Sequence, residues 1–157
     1  MKDCKPRKTP FLLGVKLEEA HSNPLVNNTL YRKLVGCLVY LTRNRPGIYY
    51  VVSVESTHMG ETHDIHWRVE KIIFHFVQGT RTHGIHYVTK YDLELFGFTD
   101  SNWEGDNADR KSTSGYVFML SYGTINCSCK MNISIAISST EEEYSGAVNE
   151  ATQCLWL

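Results

Sequence analysis

FTDSNWEGD, residues 98–106, decides how the second half of the chain is read. An apolar and aromatic run, LELFGFT at 93–99, ends in Asp100, and Ser, Asn, Trp and further acids follow. Aspartate commonly closes a strand by hydrogen-bonding the turn after it. It is also a hard oxygen ligand, able to share a metal with a second carboxylate carried by another element. The residues alone leave both readings open.

Around this stretch the hydrophobic period is extended. GIHYV at 84–88, LELFGFT at 93–99, GYVFML at 115–120 and ISIAIS at 133–138 read as four short strands separated by polar or turn-like pieces. The last alternates most cleanly, with Ile133, Ile135 and Ile137 set against Ser134, Ala136 and Ser138. A final helix is predicted from about Thr140, with Tyr144, Val148, Ala151 and Leu155 as its inner stripe.

Upstream of Gly79 the period is helical. Leu30, Leu34, Cys37 or Leu38, and Leu41 recur behind a cap at Asn28 or Thr29, and Pro46 and Gly47 stop that helix. A second stripe of Ile65, Val69, Ile72 or Ile73, and Phe76 begins near Thr62 and stops at Gly79. IYYVVSV at 48–54 is rich in β-branched and aromatic residues but suits a buried helix equally well. Residues 1–28, broken by Pro6, Pro10, Gly14 and Pro24, read as irregular chain. Three regions follow: an irregular 1–28, a helical 29–83 and a strand-rich 84–157.

Composition bounds the function classes. In 157 residues, 42% are hydrophobic and 21% charged, and 16 Lys and Arg nearly cancel 17 Asp and Glu. That describes a globular chain of one or two small domains, with no overall basic excess to announce a nucleic-acid partner. The five cysteines form no CxxC framework and point to a reducing compartment. MKDCKPRKTP lacks the apolar core of a signal peptide, and no run reaches the roughly 18 apolar residues a membrane span requires. A cytoplasmic or nuclear location, without a membrane partner, is the expectation.

The second carboxylate that Asp100 would need is sought at Glu143, in the first turn of the final helix. If strand and helix pack together, the two acids, 43 residues apart in sequence, converge and begin a magnesium site. A metal pair about 3.5–4 Å apart would activate water for phosphodiester hydrolysis. A capping box competes for the same glutamates: Thr140 with Glu143, or Ser139 with Glu142.

FTDSNWEGDNADRKSTSGYVFML at 98–120 and ISIAISSTEEEYSGA at 133–147 resemble the ribonuclease H domain of copia-type (Ty1/copia) retrotransposon Pol polyproteins. YRKLVGCLVYLTRNRPGI at 31–48 and HWRVEKIIFHFVQGT at 66–80 resemble the connection between reverse transcriptase and that domain. The resemblance covers about residues 9–157, and the ordered series of motifs is specific. It implies an α/β (α+β) fold. An incomplete ribonuclease-H-like mixed sheet would use strands near 94–99, 115–120 and 133–138, with the helix at 140–155 on one face and a helical connection region before it.

The resemblance further implies cleavage of RNA in RNA–DNA hybrids with Mg2+, and matches Asp100 and Glu143 to the family's metal ligands. At least one further family aspartate follows the last helix, and the sequence stops before it. Asn102 stands where the family usually has Asp, Glu104 where it has a small residue and Glu142 where it has Ala. Ser145 and Gly146 replace better helix formers, the glycine at about 1 kcal/mol relative to Ala. The expectation is a C-terminally truncated fragment with weak or absent magnesium binding and little or no activity. The rival reading is a non-enzymatic nucleic-acid- or protein-binding remnant, or a decayed product without function.

Trp103, Arg110 and Lys111 are candidate nucleic-acid contacts beside Asp100, although an exposed basic pair is more often simply solvated. Asp106 and Asp109 read as turn residues, and Ser112, Thr113 and Ser114 as a hairpin entry. The seven histidines form no closed zinc set. His66 reads as a surface or packing residue and His83 and His86 as a strand edge. Exposed strand edges favour self-association, or pairing with a complementary polyprotein fragment.

Overall fold

A computed structural model describes residues 4–11, 24–89, 93–102, 112–132 and 135–157. The chain divides into two compact units, Met1–Gly84 and Ile85–Leu157.

Unit 1 is helical. Helix α1 (Asn28–Thr42) starts at Asn27, whose side chain accepts the Leu30 N–H at 3.0 Å, one residue before the expected cap. A 3-10 turn at Pro46–Ile48 leads directly into α2 (Tyr49–Thr57), and α3 spans Asp64–Gly79. The ambiguous stretch 48–54 is therefore helical. Its β-branched residues Val51 and Val52 are buried with Leu38, Ile48, Val69 and Ile73, and that burial outweighs their strand preference.

Polar bonds tie both ends of this bundle. At one end the Asn28 side chain donates to the Gly60 carbonyl (2.9 Å) and accepts from the Thr62 hydroxyl (2.9 Å). At the other, the Arg45 guanidinium donates to the Thr80 carbonyl (2.6 Å) and hydroxyl (3.0 Å), satisfying the C-terminal end of α3. Residues 4–11 run along α3. The Arg7 N–H donates to the His75 carbonyl, and Pro6 sits so near Gly79 that a Cβ there would lie 2.7 Å from it. His66, read as a surface or packing residue, is 2% exposed.

Among the described residues, unit 2 is a three-stranded sheet with one helix. Strands β1 (Leu95–Asn102), β2 (Thr113–Leu120) and β3 (Gly123–Met131) are ordered β1-β2-β3, and both pairings are antiparallel. The expected mixed sheet is thus antiparallel among the described residues. Its third strand is not 133–138 but β3, reached by a tight turn in which Ser121 takes φ 53°. Asn126, Ser128 and Lys130 hid β3 from a hydrophobicity reading, because by register they share the α4-bearing face with Phe118, Tyr116 and Ser114, where that face is polar. Of ISIAIS, residues 133 and 134 lie outside the described residues, and 135–138 are bent chain leading into α4 (Ser139–Cys154). Among the described residues, GIHYV pairs with no strand. Tyr87 instead lies over Gly123, its hydroxyl donating to the Thr124 carbonyl at 2.7 Å. His83 and His86 are accordingly not on a strand edge, and Thr113 and Ser114 open β2 rather than forming a turn.

The face of α4 is reversed from its expected orientation. Tyr144, Val148 and Leu155 are 74%, 48% and 89% exposed, while Glu142 and Gly146 are buried. A Cβ on Gly146 would meet Thr99 Oγ1 at 3.5 Å, Ser101 Cβ at 3.7 Å and Ser114 Cβ at 3.9 Å, leaving room for a methyl group and little more. The helix therefore docks through its smallest residue, on a floor of hydroxyls. Gly146→Ala is expected to stabilise unit 2 by up to about 1 kcal/mol through helix propensity. Gly146→Leu is expected to destabilise it by about 1–3 kcal/mol through overpacking. Denaturant unfolding of the two variants, followed by hydrogen exchange of α4 peptides, reads both effects.

Candidate functional site

Asp100 lies inside β1, paired with Gly115, and is exposed. Side chains alternate across a strand, and Thr99 and Ser101 face Gly146 of α4. Asp100, between them, faces the other side of the sheet. Its register runs through Gly115 to Cys129, and its charge, after burial, helps push the Cys129 thiol pKa upward. Cys127 shares that face two residues away, and burial raises its thiol pKa too.

Glu143 is exposed in the first turns of α4. The acid turned to the sheet is its neighbour Glu142, 1% exposed. Glu142 Oε1 accepts from Asn132 Nδ2 at 2.7 Å, and Asn132 Oδ1 accepts from the Ser114 hydroxyl at 2.6 Å. This chain of bonds pins the start of α4 to β2. The helix cap lies earlier than either expected box: Ser138 Oγ accepts from the Glu141 N–H (3.2 Å), and Glu141 Oε2 accepts from the Ile137 N–H (2.7 Å). Glu143 is thus free of the capping role that competed for it.

The structure does not bring Asp100 and Glu143 together, since one faces away from α4 and the other stands on that helix, exposed. Two such carboxylates do not fit the shared octahedral shell that magnesium requires. Among the described residues no cluster of three or more His, Cys, Asp or Glu is gathered for a metal. Trp103, Arg110 and Lys111, with Asp106 and Asp109, lie outside the described residues. On the helix-bearing face, a cleft of about 490 Å³ is lined by Ser114, Tyr116, Ser128, Lys130, Asn149 and Trp156 among others, and contains neither candidate acid.

Several known proteins are similar to this chain. The retrovirus-related Pol polyprotein of transposon RE2 from Arabidopsis thaliana is 34% identical over 157 residues, 100% of this chain and 11% of that protein. That of transposon TNT 1-94 from Nicotiana tabacum is 32% identical over 164 aligned residues, 100% of this chain and 12% of the relative. A secreted RxLR effector protein of Plasmopara viticola is 36% identical over 134 residues, 84% of this chain and 94% of its own length. The chain is homologous to one segment of these retrovirus-related transposon Pol polyproteins. It spans about a tenth of the length of the Pol polyproteins it matches. No family model and no solved structure matches it.

Along the chain, one feature of charge escaped the whole-chain balance. Residues 1–84 hold twelve Lys and Arg against seven Asp and Glu, and residues 85–157 hold four against ten. The formal −1 is the sum of a basic unit and an acidic one. In unit 1 six of the described cations gather at one end, while Arg32, Lys33, Arg68 and Lys71 lie nearer the other ends of α1 and α3. Lys5, Arg7 and Lys8 precede and follow the contact with Gly79 and His75, Arg43 and Arg45 follow α1, and Arg81 follows α3. Glu61 and Asp64 sit at the start of α3, sixteen residues and roughly 24 Å from that end. Counting charge by region would have found this from sequence.

Asn132→Ala leaves Glu142 buried without this donor and is expected to cost unit 2 about 1–3 kcal/mol. Glu143→Gln, at an exposed position, is expected to change stability by less than about 0.5 kcal/mol. Urea unfolding midpoints of the two variants check the contrast.

Proposed function

We propose that this Pol polyprotein segment is of the ribonuclease H type, binds an RNA–DNA hybrid without cleaving it, and does so through the basic end of unit 1. Asp100 and Glu143 occupy the positions of the family's metal ligands. Their separation across the sheet is the observation that carries the reading of inactivity. Magnesium is held weakly or not at all, because neither carboxylate supplies the other with a neighbour in the coordination shell.

Binding rests on the charge division. A helical end bearing Lys5, Arg7, Lys8, Arg43 and Arg81 suits a phosphate backbone, whose affinity comes mainly from released counterions and carries no base specificity. The edges β1 and β3 and the exposed stripe of α4 favour self-association of the chain.

The test uses a labelled RNA–DNA hybrid with the whole chain and with an Asp100→Asn variant. Neither is expected to cleave it at any magnesium concentration. Both are expected to bind with an affinity that falls steeply with salt, and a combined Arg43→Ala, Arg81→Ala variant to bind several-fold more weakly. Magnesium-dependent cleavage abolished by Asp100→Asn would overturn the inactive assignment. Salt-independent binding, or none, would overturn the proposed contact.

A further inference from the structure

Helices α1, α2 and α3 enclose a group of acids that neither the apolar core nor the proposed hybrid contact uses. Glu55 of α2 is 0% exposed and Glu70 of α3 is 1% exposed. From α1, the Tyr31 hydroxyl donates to Glu55 Oε2 and lies 3.2 Å from the Glu55 carbonyl oxygen. Glu55 Oε1 and both carboxylate oxygens of Glu70 are buried with no hydrogen-bond partner. His66, buried one turn before Glu70, has the His58 ring stacked on it at 4.4 Å, and its Nδ1 accepts from the His63 N–H. No Lys or Arg is among the buried described residues.

An ionised carboxylate inside a protein without donors costs several kcal/mol, and a second one nearby adds repulsion. A bound proton removes the charge and supplies an O–H donor. We propose that Glu55 and Glu70 form a buried proton-holding site that ties the packing of α1, α2 and α3 to pH.

Direction and size agree. Burial, opposed by the Tyr31 bond, raises the Glu55 pKa to about 7. Burial and then the Glu55 charge raise that of Glu70 to about 8. Burial first, then Glu55, carries the Tyr31 hydroxyl far above its ordinary value, so it remains a donor. Both acids return to the ordinary range near 4.3 when the unit unfolds. The folded state therefore binds more protons than the unfolded one over the interval between. The stabilisation is complete below about pH 4, declines as pH rises, and is lost through the folded values near 7 and 8. His58, His63 and His66 pack beside these helices, and a glutamate variant separates the carboxylates' contribution from theirs.

The test is thermal unfolding of the whole chain between pH 6 and 9, with hydrogen exchange of α1–α3 peptides to confine the signal to unit 1. The midpoint of unit 1 is expected to fall by roughly 5–10 °C across that range. Glu70→Gln keeps shape and neutrality, and is expected to flatten the dependence and raise the midpoint at pH 9. The infrared carbonyl stretch of a protonated carboxylic acid in the native chain at pH 6.5 is a second readout, available even if the variant does not fold. A midpoint independent of pH, a Glu70→Gln variant as pH-sensitive as the parent, or native protein without the protonated-acid band would each overturn the site.

Discussion

The docking of α4 on the sheet through Gly146 governs the rest of unit 2. A residue with no side chain allows the helix to rest on Thr99, Ser101 and Ser114. Once those odd-numbered positions of β1 lie under the helix, the two-residue period of a strand sends Phe96, Phe98 and Asp100 to the other face. The same contact turns Glu142 inward, where Asn132 and Ser114 receive it, and leaves Tyr144, Val148 and Leu155 in solvent. The placement of every candidate acid follows from one small residue and one alternation.

Much of the fold was legible in the sequence. The stripes of α1 and α3, the strands around 95–100 and 115–120 and the final helix were visible because each carried a strong period or a clear stop. What was not legible depended on neighbours far along the chain. Residues 48–54 have strand-like letters and form a helix because Val51 and Val52 meet Val69 and Ile73. The apolar alternation at 133–138 suggested a strand, and the polar run at 123–131 took that place, since pairing with β2 rather than hydrophobicity defines it. The apolar stripe of α4 pointed to burial, but the sheet offered hydroxyls, and the small residue was the better fit.

The candidate site was legible only in part. Motif order pointed to transposon Pol polyproteins, and such polyproteins are among the proteins similar to this chain over its whole length. Which glutamate of Glu141, Glu142 and Glu143 does what required the fold: the first caps the helix, the second is bonded to Asn132, and the third is exposed. The opposite charges of the two units were present in the letters and were masked by a balance taken over the whole chain. The buried Glu55 and Glu70 were not visible at all, because an acid on a helix is ordinarily solvated, and only the position of Tyr31 and the surrounding core shows otherwise.

Separation of Asp100 from Glu143 is tested most directly by titrating the whole chain with Mn2+ while recording amide and side-chain resonances. Paramagnetic broadening is a short-range effect that marks whichever acids share an ion. Carboxylates held on opposite sides of the sheet predict no common site, with any broadening at Asp100 and at Glu143 appearing independently and at high metal concentration. Simultaneous broadening of both at low Mn2+ would contradict that geometry and restore a shared metal centre.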